Sequence, residues 1–159
     1  MKSTLFLLVP LFFLGLTACE LPFLTGQNQS EYHRSVAKAQ KMRESSQAVF
    51  VESLDRWLVF FWLEGPYPSP MQVSSYEILF LDSQSRLSSL PETVGLQVFA
   101  WMPDMGHGSA DDGYVEDLGG GRFLGHELRF NMPGYWHIHI LVDRGGERLD
   151  EIVLPFDLL

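Results

Sequence analysis

The sequence predicts an all-β fold: an immunoglobulin-like antiparallel β-sandwich of seven or eight strands, carried behind a signal peptide and a tether. Three observations point there. From Gln47 onward, short apolar runs are cut by Pro, Gly, Asp and Ser, as strands are cut by turns. Several of those runs alternate apolar and polar residues with a period of two, which places one face on a core and one toward water. The chain has 159 residues, about 140 after removal of an amino-terminal signal, which suits one ordinary domain with its own core.

The amino terminus reads as a lipoprotein signal. Lys2 is a minimal positive region, Leu5 to Leu16 form an apolar stretch too short to span a bilayer comfortably, and Thr17-Ala18 are small residues before Cys19. The alternative is a plain secretory signal with an incidental cysteine. Cleavage before Cys19, followed by addition of lipid (palmitate among the acyl chains), would anchor residues 19–159 outside the cytoplasm, on the periplasmic side of the envelope. Glu20 stands where an Asp is the familiar inner-membrane retention signal, so it favours the outer membrane. With Cys19 acylated no disulfide can form, because it is the sole cysteine. Residues 19–46 read as a lipid-anchored tether: Pro22, Gly26 and a polar stretch first, then Glu31–Glu44 with the composition of a short helix but no apolar face.

Residues 47–159 then form the domain. Strands are expected at Ala48–Ser53, Arg56–Leu63, Ser74–Asp82, Gly95–Met102, Arg122–Met132, Tyr135–Asp143 and Leu149–Phe156, with a short one near Tyr114–Asp117. Gly95–Met102 puts Leu96, Val98, Ala100 and Met102 on one face. Tyr135–Asp143 puts Trp136, Ile138, Ile140 and Val142 on one face and Tyr135, His137, His139 and Leu141 on the other. His126 falls in phase with Leu128, Phe130 and Met132, at the core edge. Arg144-Gly145-Gly146-Glu147 is a hairpin turn, since consecutive glycines accept the positive φ that such turns need. Glu64–Met71, with three prolines, is a loop.

Charge narrows the partners. The chain carries −9, or −10 once Lys2 leaves with the signal. Such a balance disfavours nucleic acid, where affinity comes from neutralising phosphates, and electrostatic docking on anionic lipid. The expected partners are the membrane, through the amino-terminal lipid, and an envelope protein.

The chemistry concentrates in Trp101-Met102-Pro103-Asp104-Met105-Gly106-His107-Gly108-Ser109 and in Asn131-Met132-Pro133-Gly134-Tyr135-Trp136. Each sets thioethers at a strand end beside a Pro and Gly turn. If Gly95–Met102 rises, Tyr114–Asp117 descends and Arg122–Met132 rises again, both segments meet at one end of the sandwich. Thioether and imidazole together select Cu(I) among the common metals. Met105, His107 and Met132 are therefore the candidate ligands, with Met102, His137 and His139 behind them, and Trp101 and Trp136 as shields. Against this stands a simpler reading, in which the methionines fill core gaps and shape two turns. His137 and His139 share a strand face ~7 Å apart, a spacing metal sites use, though two solvated histidines would look the same.

These residues resemble a known family. Met102-Pro103-x-Met105-Gly106-His107-Gly108, followed by Met132-x-Gly134-x-Trp136 and an alternating apolar strand, is similar to the YtkA-like domain, a group related to the FixH-like proteins of cytochrome oxidase assembly. The resemblance covers about Ser74 to Phe156. It implies an extracytoplasmic, membrane-anchored β-sandwich, in some members near copper or oxidase-assembly proteins. The lipobox in place of a transmembrane helix departs from the FixH pattern.

Enzymatic motifs do not occur. There is no Gly-x-Ser-x-Gly elbow, phosphate loop or His-Glu-x-x-His, and Cys19 is misplaced for a blue-copper ligand. The acidic pairs Asp111-Asp112 and Glu116-Asp117 suit a solvated loop better than a calcium site. The expectation is a non-enzymatic lipoprotein whose sandwich binds Cu(I) through Met and His; the alternative is a metal-free accessory or protein-interaction module of the cell envelope.

Overall fold

The computed structural model describes residues 46–65 and 67–159. The signal, Cys19 and the tether to Ser45 lie outside the described residues.

Among the described residues nine strands are formed: β1 (Gln47–Val51), β2 (Arg56–Trp62), β3 (Val73–Leu81), β4 (Val94–Met102), β5 (His107–Gly108), β6 (Tyr114–Gly119), β7 (Arg122–Arg129), β8 (Gly134–Arg144) and β9 (Glu147–Leu158). They make two antiparallel sheets, ordered β1-β2-β3-β7-β6 and β5-β4-β8-β9. Setting β1 aside, and lettering the other eight A, B, C, C′, D, E, F, G in chain order, these sheets read A-B-E-D and C′-C-F-G. That is the immunoglobulin arrangement, with an added leading strand. No helix among the described residues is long and apolar enough to cross a membrane.

The alternation read from the sequence explains the core. On β8, Trp136, Ile138, Ile140 and Val142 are buried, and on β4 so are Val98, Ala100 and Met102. Across the gap they meet Leu58 and Phe60 of β2, Tyr76, Ile78 and Phe80 of β3, and Phe123 and Leu128 of β7. At one end the core is aromatic: Phe130 lies 5.1 Å from Trp136, 5.3 Å from Phe156 and 6.0 Å from Trp62, ring centre to ring centre. Such edge-to-face pairs contribute about 0.5–1.5 kcal/mol each beyond the area they bury. The β8–β9 hairpin closes at Gly145 (φ 59°) and Gly146 (φ 89°), between paired Arg144 and Glu147, which is the two-residue turn the sequence demands.

Two local features depart from the expected pattern. His126 does not lie in phase with Leu128. Glu127 takes a left-handed conformation (φ 65°), and the β3–β7 register slips there by one residue. This bulge reverses the phase of β7. Phe123 and Gly125 face inward before it, Leu128 and Phe130 after it, and His126 is turned outward. There it stacks on Tyr114 at 4.7 Å and its Nε2 lies 3.0 Å from Glu116. Second, the segment after β4 is not all loop. It forms a hairpin in which Met102 pairs with His107 and Trp101 with Gly108.

β9 is a 12-residue edge strand, and Pro155 removes one of its amide donors. Its carbonyl at Pro155 accepts a hydrogen bond from Gln47 Nε2 at 3.1 Å, which ties the edges of the two sheets together.

Candidate functional site

The site is built where β4 turns into β5 and where β7 passes into β8. The first of these is a four-residue reversal, Pro103 to Gly106. Gly106 N donates to Met102 O at 2.9 Å, and Gly106 holds φ 67°, where a side chain would be strained. Because Met102 and His107 are directly opposed, their side chains share a face, ~5 Å apart at Cβ. That face is the inner one: Met102 is 6% exposed. His107 is therefore drawn to the rim of the core, half-buried, with its ring edge-on to Trp136 at 5.7 Å.

The second segment arrives at the same rim because β4 and β8 run antiparallel, so the end of β4 lies beside the start of β8. Met132 packs against the core there. Its carbonyl accepts the indole N–H of Trp136 at 3.2 Å, which fixes the turn before β8. Gly134 brings its backbone over Met102: a Cβ on Gly134 would stand 2.3 Å from the Met102 methyl.

The tautomer of His107 follows from its contacts. Nδ1 lies 2.8 Å from the carbonyl of Gly108, an acceptor only, so Nδ1 carries the proton and donates it. In the neutral ring Nε2 then keeps its lone pair; this atom is buried and has no hydrogen-bond partner. A backbone carbonyl on one ring nitrogen and a free lone pair on the other is the arrangement found in metal-ligating histidines.

The remaining candidates separate. Met105 sits in the exposed turn, 61% accessible. Trp101, 37% accessible, points away from Met102, to the outer face of the second sheet. His137 and His139 lie on that outer face as well, flanked by Trp101 and Phe99 of β4. Among the described residues, no three His, Cys, Asp or Glu side chains group as a metal site. The acidic pairs act singly. Asp112 accepts from Ala100 N, where β5 has ended, and from the Ser109 hydroxyl. Asp111 and Asp117 close turns onto Gly113 N and Gly119 N.

Beneath the rim, Tyr76 is wholly buried, stacked on Phe60 at 5.1 Å, and its hydroxyl has no partner. Burial, and after it the Asp112 carboxylate, hold its pKa well above the ordinary tyrosine value.

Alternation along the strand puts the Met102 thioether on the core face, which by itself marks a packing residue and sets it behind Met105. The signal for the hairpin was present in Pro103-Asp104-Met105-Gly106, a turn with glycine at its left-handed end. Pairing across that turn puts Met102, not Met105, beside His107.

Strand order thus defines the class, a two-sheet antiparallel sandwich of immunoglobulin type. Among solved structures, the chain is similar to the crystal structure of the Lin-41 filamin domain, at 15% identity over 72% of this chain and 92% of that one, with a TM-score of 0.41. No family model matches the sequence, and no curated protein does.

Proposed function

We propose that this is a lipid-anchored, extracytoplasmic β-sandwich protein that holds one Cu(I) ion at the β4–β5 rim, with Met102, His107 and Met132 as ligands. The observation that carries this reading is the buried, unpartnered Nε2 of His107 on the same strand face as the Met102 thioether. A desolvated nitrogen without a partner costs about 1–3 kcal/mol; a soft cation would offset that cost. Two neutral thioethers and one imidazole favour Cu(I) over harder ions. Trp136 excludes water, and an aromatic face near a cation adds attraction. Met105, exposed in the turn, is placed to meet an incoming ion rather than to enclose it. Cys19, acylated, supplies the anchor.

The test is titration of the full chain carrying Cys19→Ser, which removes a competing thiol, with Cu(I) against a chromophoric chelator. One ion per chain is expected, with at least a hundredfold loss of affinity in Met102→Leu/His107→Gln and less than a threefold loss in Met105→Leu. Equal affinity in the double variant would overturn the reading and leave the metal-free envelope module. For the anchor, mass spectrometry of the mature chain should show an acylated Cys19 at its amino terminus; an unmodified Cys19 would refute it.

A further inference from the structure

We infer a second, chemically different metal site on the outer face of the β5-β4-β8-β9 sheet, in which His137 and His139 of β8 chelate a borderline divalent cation of the Zn(II) or Cu(II) kind. It is independent of the Cu(I) reading, since it uses no thioether and lies on the opposite face of β8.

Three observations carry it. The first is spacing. Two imidazoles bound to one ion at the usual metal–nitrogen distance of ~2.0–2.1 Å have ring centres about 5–6 Å apart. The rings of His137 and His139 are 5.9 Å apart, tilted by 47°. The second is the state of His139. Its Nδ1 lies 2.7 Å from Glu151 Oε1 of β9, so the proton sits on Nδ1 facing the carboxylate. Its Nε2 is buried and has no hydrogen-bond partner, so in the neutral ring it holds a lone pair free for an ion. A carboxylate behind a ligating imidazole fixes the tautomer and raises its basicity. The third is rigidity. His139 lies flat against Phe99 at 4.6 Å and 9°, and His137 is braced edge-on by Tyr135 at 5.1 Å. Rings held in place lose little freedom on binding an ion.

The ion class follows from the donors. Imidazole nitrogen suits Zn(II), Cu(II) and Ni(II), whereas calcium and magnesium want oxygen. His137 is half-buried beside exposed Tyr135, so the other coordination positions open to water.

The experiment uses the full chain with Cys19→Ser. Zn(II) is titrated calorimetrically into this chain and into His137→Gln, His139→Gln, Glu151→Gln and the control His126→Gln, with Cu(II) added in parallel for electron paramagnetic resonance. Expected are one Zn(II) per chain, at least a tenfold loss in each of the two β8 histidine variants, a smaller loss in Glu151→Gln, and none in His126→Gln. The Cu(II) spectrum should show coupling to two nitrogens, reduced to one by either β8 substitution. As a check needing no variant, Zn(II) should shift the imidazole carbon-bound proton resonances of His137 and His139 in the unsubstituted pair. Binding that survives His137→Gln or His139→Gln within threefold, or that is lost with His107→Gln instead, overturns the inference.

Discussion

Gly134→Ala tests whether the thioether of Met102 lies under the β7–β8 turn. Two costs add. Gly134 holds φ 138°, a region that side chains rarely adopt, and forcing a residue there costs about 1–3 kcal/mol. The new Cβ would also stand 2.3 Å from the Met102 methyl, where ordinary contact is ~3.5–4.0 Å. Met102 is 6% exposed, so its methyl cannot simply swing into water, but it is the tip of a flexible chain; about 1 kcal/mol is reasonable, at the low end of overpacking costs. The total is about 2–4 kcal/mol, or roughly 4 °C of melting temperature per kcal/mol for a domain of this size. In a Met102→Ala background the overlap is gone and only the backbone cost remains. The double-mutant cycle, measured by urea unfolding, should therefore give a coupling of about 1 kcal/mol, within the range seen for residues in contact. Equal losses in both backgrounds, within ~0.3 kcal/mol, would mean that Met102 does not lie beneath Gly134, and the ligand geometry proposed at this rim would fall with it.

Two further outcomes follow from Tyr76. Its folded-state pKa is raised, so the folded protein keeps a proton that the unfolded chain releases above about pH 10, and stability falls as pH rises beyond that point by up to ~1.4 kcal/mol per pH unit. Tyr76→Phe should remove that slope between pH 10 and 11, while at pH 7 it leaves stability equal or higher, because the buried hydroxyl is unpaired; identical slopes in both proteins would contradict the assignment. Gly125 lies directly under the same ring, and a Cβ there would stand 2.0–2.3 Å from three of its atoms. Since the ring is pinned by Phe60, Gly125→Ala should cost about 3 kcal/mol or more in unfolding free energy, and Tyr76→Leu should recover part of it; a loss under ~1 kcal/mol would show that the ring can retreat.

How much of this was readable in the residues depends on the element. β8 was legible from Trp136 to Ile140, where burial follows the period of two; Leu141, on the face opposite Trp136, is buried as well, which alternation alone does not show. β7 was legible as a strand but not in its facing. The bulge at Glu127 leaves no local signal, since it is set by how β3 pairs with β7, and that misplaced His126. β5 has two residues, His107 and Gly108, too few to show any period. The meeting of the two Met-Pro segments at one end followed correctly from strand direction. Which thioether faces His107 did not, because it depends on hairpin register rather than on distance along the chain.

β8 carries an indole inward at Trp136 and imidazoles outward at His137 and His139, on alternate residues. Slipping β8 by one residue against β4 and β9 would exchange what the strand shows to each side: the histidines would enter the oily interior and the indole would meet the solvent. The register of that pairing is thus restricted by parity. A slip of two residues keeps each face; an odd one inverts the strand.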